Sequence, residues 1–154
     1  MNSEDLAYSK LCAGCNAEKV GNFNLAAREY QRGLGFSTED FETAYFLNNN
    51  LGYSLIQLGE FVEAEIYCRE AISIDPHKYN SHKNLGLALQ GQGRFVEAAL
   101  SLQLASVMSS NPRAQKHLDE LLAEHPEVES SLRTHTVIEG DQHVFHGHFS
   151  GSVH

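Results

Sequence analysis

Apolar side chains recur at steps of three and four through most of the chain, the spacing of helices that each bury one face. The clearest run is Arg113 to Glu124: Leu118, Leu121 and Leu122 form one stripe, while Gln115, Lys116, Asp119, Glu120 and Glu124 fall on the opposite side. A helix is predicted over 113–124, with Pro126 shortly beyond it. Gly59 and Gly93 stand where one helix must turn back into the next, because a left-handed backbone costs glycine little. Asp75-Pro76 ends a helix, since proline disfavours helical backbone in the residue before it. The helical period disappears in the last twenty residues, where His135, His143, His146, His148 and His154 mingle with Gly140, Gly147 and Gly151. Two readings of that stretch stand: a flexible tail, or a β-hairpin turning at Glu139-Gly140-Asp141-Gln142.

The helical pattern repeats. Asn50-Leu51-Gly52 returns as Asn84-Leu85-Gly86, an offset of 34 residues, and Gly59, Phe61, Val62, Glu63, Ala64 and Ala71 recur at the same offset. Upstream, Gly21, Phe23, Ala26 and Gly33 precede Gly59, Phe61, Ala64 and Ala71 by a constant 38. Gly52 and Ala64, like Gly86 and Ala98, are small where two antiparallel helices must approach closely. Each unit therefore reads as one helical hairpin. One hairpin cannot bury its apolar face alone, so neighbours must stack and the last must be capped.

The unit resembles the tetratricopeptide repeat, whose pattern is a Leu-Gly pair in its first helix, small and aromatic residues through its second, and often a closing proline. Residues 45–78 match best, with Leu51, Gly52, Gly59, Phe61, Ala64, Ala71 and Pro76, although Asn48 stands where an aromatic is usual. Residues 79–112 keep the rest of the pattern and reach Pro112 two positions late. In the first unit, about 7–40, Ala13-Gly14 replaces Leu-Gly and no proline follows. The resemblance implies an all-α, right-handed α-solenoid of three hairpins in a domain over 1–126. The helix at 113–124 would be its C-terminal cap and the seventh helix, and 127–154 a histidine- and glycine-rich tail, flexible or hairpin-like.

In this family the first helix of each hairpin lines a concave groove that takes a peptide or helix of another protein. Helical steps then place Tyr8, Leu11, Cys15 and Lys19 there from the first repeat. The second supplies Phe46, Asn49, Tyr53 and Ile56, and the third Asn80, Lys83, Leu87 and Gln90. Tyr8, Phe46 and Tyr53 would be anchors, Tyr53 foremost, and the asparagines would serve a partner's backbone. The alternative is that Phe46, Ile56 and Leu87 pack between repeats, and that Asn50 and Asn84 are ordinary interface residues. One subgroup of the family clamps terminal carboxylates with Lys, Asn and Arg. Asn50 retains its middle element, but Leu11, Cys15, Asn80 and Asn84 occupy the other positions, so such a clamp is not expected.

Composition narrows the partner. Eleven Lys and Arg against twenty Asp and Glu give a formal charge of -9, which repels nucleic acid and anionic membranes. No apolar run is long enough to span a bilayer, and the acidic start Met1-Asn2-Ser3-Glu4-Asp5 does not read as an export leader, so a cytoplasmic protein is expected. Three cysteines, Cys12, Cys15 and Cys68, then read as reduced thiols; helical spacing makes Cys12 and Cys15 small core residues in preference to a redox or zinc pair. No nucleophile with its base and no phosphate-cradling loop is present, so a non-catalytic adaptor without cofactors is expected. A dedicated client chaperone is the alternative within that class. Metal binding through His143, His146 and His148 is the alternative outside it. Monomer and homodimer both remain open.

Overall fold

A computed structural model of the chain describes residues 1–134, and all of their regular structure is helical. The helices in order are α1 (Ser3–Lys19), α2 (Phe23–Leu34), α3 (Phe41–Gln57), α4 (Phe61–Ile74), α5 (Tyr79–Gly91), α6 (Phe95–Met108) and α7 (Arg113–Glu124). Helix pairs α1–α2, α3–α4 and α5–α6 form three hairpins, reversed at Gly21, Gly59 and Gly93 with φ of 73°, 78° and 76°. Within a hairpin the helices approach closely. A Cβ on Gly52 would lie 2.7 Å from the Cys68 sulfur, and one on Gly86 2.7 Å from Leu102 Cγ.

Local signals set the helix starts. Asn2 and Asp5 form a capping box at α1, and Asp40 accepts from the backbone N–H groups of Glu42 and Thr43 at α3. Both helices begin about one turn before the repeat units at 7 and 45. The first helices of successive hairpins lie side by side, α1 against α3 and α3 against α5, while each second helix packs on the hairpin that follows. The result is the expected helical-repeat solenoid.

Its core is divided. One cluster, with Tyr30, Leu47, Leu51 and Leu55, is built mainly from α1 to α4. The other, with Cys68, Leu85, Leu89, Leu102, Leu118 and Leu121, runs from α4 to the C-terminal end. Helix α7 follows the expected cap in extent and stripe, with Leu118 and Leu121 buried. Helical structure then resumes over 127–134, where Val128 (3% exposed) and Leu132 (8%) join the second cluster. The boundary expected after residue 126 thus falls between two packed helical segments. Among the described residues no helix is long and apolar enough to cross a membrane.

Across the outer side, Glu65 of α4 ties the second hairpin to the third. It accepts from Arg94 Nη1 at 2.7 Å and Gln92 Nε2 at 3.0 Å, and pairs with Arg69 of its own helix at 2.8 Å. These donors outweigh burial and hold the Glu65 carboxyl below its ordinary pKa.

Candidate functional site

Two hollows open on the side formed by the first helices. The first, about 410 Å³, lies between α1 and α3 and is lined by Tyr8, Leu11, Cys12, Cys15, Phe46 and Asn50, with Asn16 and Lys19 at its margin. Tyr8 is 59% exposed, while Leu11, one helical step on, is buried to 8% and forms the floor. Phe46 meets Tyr45 edge-on at 5.2 Å, and the Lys78 ammonium sits 4.8 Å from the Phe46 ring centre. An aromatic standing free beside an apolar floor and an amide can grip an amphipathic side chain. Cys12 is exposed and Cys15 half-buried at this hollow, contrary to the core placement expected for both. The reason is that Gly14 takes the inward position between them, against the Tyr30 ring, which leaves its neighbours to the sides. Cys68 alone is buried, and burial pushes its thiol up to about 12.

Beneath the hollow runs a chain of side-chain hydrogen bonds that crosses all three hairpins. Asn84 Nδ2 donates to Asn49 Oδ1 at 3.1 Å, Asn49 Nδ2 to Asn50 Oδ1 at 3.2 Å, and Asn50 Nδ2 approaches Cys15 Sγ at 3.7 Å. The Tyr30 hydroxyl lies 3.6 Å from the same sulfur and donates to Glu18 Oε1 at 2.7 Å; Ser54 Oγ is 3.4 Å from that oxygen. Burial raises the Glu18 pKa, against the opposing pull of Tyr30 and Ser54, and burial together with the carboxylate raises that of Tyr30. Asn49 and Asn84 are 6% and 2% exposed and are committed to each other. These amides set the register between repeats.

A second hollow of about 540 Å³ lies toward the C-terminal end, bounded by Ile56, Phe61, Leu87, Phe95, His117 and His125. Ile56 is buried to 9% and Leu87 is half-buried. His125 stacks on Phe95, ring centres 3.6 Å apart. Lys83, one turn before Leu87 on α5, is half-buried, and Asn80 is likewise half-buried at the start of that helix. Tyr53 lines neither hollow; its ring meets Phe23 of the first hairpin edge-on at 6.0 Å and is half-buried there. Helical spacing had selected Tyr8, Leu11 and Phe46, which the fold brings together, and Ile56 and Leu87, which it places at the second hollow. Cys12 and Asn16 were not selected, although the position of Gly14 implies their outward aim.

Among the described residues, no three His, Cys, Asp or Glu side chains come together to hold a metal ion. His143, His146 and His148 lie outside the described residues.

Residues 45–78 match the tetratricopeptide repeat family. Over 105 residues the chain is 35% identical to Protein POLLENLESS 3-LIKE 2 of Arabidopsis thaliana; the match covers 60% of this chain but 24% of that protein, so the chain spans only that share of its curated relative. Among solved structures, the Arabidopsis OM64 TPR domain superposes with a TM-score of 0.71 at 22% identity, covering 80% of this chain and 99% of that one. The second TPR domain of human RPAP3, in complex with the HSP70 peptide SGPTIEEVD, superposes with a TM-score of 0.67 at 22% identity, covering 75% and 94%.

Proposed function

Because the chain belongs to the tetratricopeptide-repeat proteins, we propose that it is a non-catalytic adaptor, acting in the cytoplasm, that seats a peptide or helix of a partner protein on the face shared by α1, α3 and α5. The observation that carries this reading is the first hollow. There Tyr8 stands exposed over the buried Leu11, beside Phe46 and the Asn50 amide, in a space of about 410 Å³. Covering an exposed aromatic against an apolar floor is favourable, and the neighbouring amide orients what covers it. The peptide-bound RPAP3 domain supports a peptide as the kind of ligand. Chain-end recognition by a carboxylate clamp does not transfer, since Leu11, Cys15, Asn80 and Asn84 offer no cation.

Affinity capture from the lysate of the source cell, with the intact chain beside Tyr8→Ser and read by mass spectrometry, tests the proposal. A protein enriched by the intact chain and lost with the variant supports it. Identical captured sets would remove the first hollow from consideration. Tyr8 is exposed enough that the substitution should leave thermal stability within about 0.5 kcal/mol, which a melting curve checks.

A further inference from the structure

Most described lysines and arginines have a carboxylate within ion-pair range. The exceptions are Lys19, Arg28 and Arg113, all exposed, and Lys83, which is half-buried. Among the described residues no hydrogen bond or ion pair satisfies the Lys83 ammonium, and the charge it feels most there is that of Arg113, of the same sign. Burial first and Arg113 second hold the Lys83 pKa below its ordinary value; His117, one turn beyond Arg113 on α7, is lowered in turn by burial and by Lys83. In a protein of charge -9, Lys83 thus stands on the groove face without a counter-charge among the described residues. Burying an ammonium without a counter-charge is costly unless something from outside supplies one.

We propose that Lys83, with Arg113 beside it, is the docking point for an acidic side chain, Asp or Glu, within the partner segment. The inference rests on the groove reading above and adds the chemistry of what binds there. A side chain, and not a chain end, is the source of the charge for two reasons. Leu87, one turn after Lys83 on α5, lines the hollow of about 540 Å³ together with Ile56 and His117, which leaves room for a segment that runs on. A terminal carboxylate, moreover, needs several donors, and the nearby Asn84 amide is already bonded to Asn49. The segment would then carry an aromatic or aliphatic residue for the Tyr8 hollow and an acidic one for Lys83.

The probe is a display library of random twelve-residue peptides with constant sequence at both ends, selected on the intact chain and on Lys83→Met, which preserves the packing of the lysine stem. The expected consensus on the intact chain pairs an apolar residue with Asp or Glu at fixed spacing, and the acidic preference disappears on Lys83→Met. A synthetic consensus peptide should bind Lys83→Met roughly tenfold to a hundredfold more weakly, while its Glu→Gln version binds both proteins alike. A readout independent of folding is the ring of His117, whose titration by NMR should move upward when the acidic peptide binds and stay put with the Gln peptide. An apolar consensus without an acid, or an acidic preference that survives Lys83→Met, overturns this inference and leaves the groove reading standing. No consensus at all overturns both.

Discussion

Gly52→Ala tests the close approach of α3 and α4 on which each hairpin depends. The new methyl group would lie 2.7 Å from the Cys68 sulfur and 3.5 Å from the Ala64 carbonyl oxygen and the Cys68 nitrogen, so sulfur is the only serious clash. Cys68 is 0% exposed and has no room to swing away. Overpacking of this kind costs about 1–3 kcal/mol, and the better helix propensity of alanine returns up to about 1 kcal/mol, leaving a net loss of roughly 1–2 kcal/mol. Cys68→Ala alone should cost on the order of 1–2 kcal/mol, from lost burial and the void it leaves. The double variant places the new methyl where the sulfur was. It should therefore be about as stable as either single variant, a coupling of about 1–2 kcal/mol between the sites. Guanidinium denaturation of all four proteins, followed by far-UV circular dichroism, measures the cycle; midpoints should shift without a change in slope. If Gly52→Ala is neutral, or if the two losses simply add, the account of glycine as the spacer of the hairpin is wrong.

Burial holds the Glu18 carboxyl above its ordinary value of 4.5. A carboxyl with a raised folded pKa takes up a proton on folding, so its contribution is best below the unfolded value and is lost as pH rises through the folded one. Glu18→Gln should accordingly gain on the intact chain between pH 4 and pH 7 in urea titrations, and a gap that stays constant across that range would refute the assignment. Leu121→Ala, at a position with 0% exposure, should cost about 2–5 kcal/mol in the same assay. Val128→Asp should destabilise by several kcal/mol, on the order of burying an unpaired charge, because Val128, with Leu132, belongs to the second core cluster. A surface-like effect, below about 0.5 kcal/mol, would detach that segment from the fold.

The offset between Leu51-Gly52 and Leu85-Gly86 was enough to place the hairpins, because glycines and alanines at fixed spacing leave few ways to pack two helices. Other features had signals in the chain that repeat matching passes over. Asn2 with Asp5, and Asp40 before its helix, mark starts one turn ahead of the repeat units; Val128 and Leu132, four apart after Pro126, mark another helical face. The site was less legible. Steps of three and four select a helix face, but they do not say whether a neighbour covers it. Asn49 and Tyr53 sit on the selected face, yet one is bonded to Asn84 and the other meets Phe23. Nor does spacing reveal that Lys83 lacks a counter-charge. That depends on which acids the fold brings near, and among the described residues it brings none.

The divided core bears on mechanics. Between the two apolar clusters, the join is strengthened by directional polar links, the Asn84–Asn49 amide pair on one side and Glu65 with Arg94 on the other. Apolar side chains cross the same step, with Leu87 and Ala88 of the third hairpin in the first cluster and Cys68 of the second hairpin in the second, so the join combines close packing with polar links that fix its direction. The first hollow lies on the N-terminal side of that step, and the second spans it, with Ile56 and Phe61 from one hairpin and Leu87 and Phe95 from the next. A segment occupying both would act as a splint, and its binding would register as a stiffer spring as well as a filled surface.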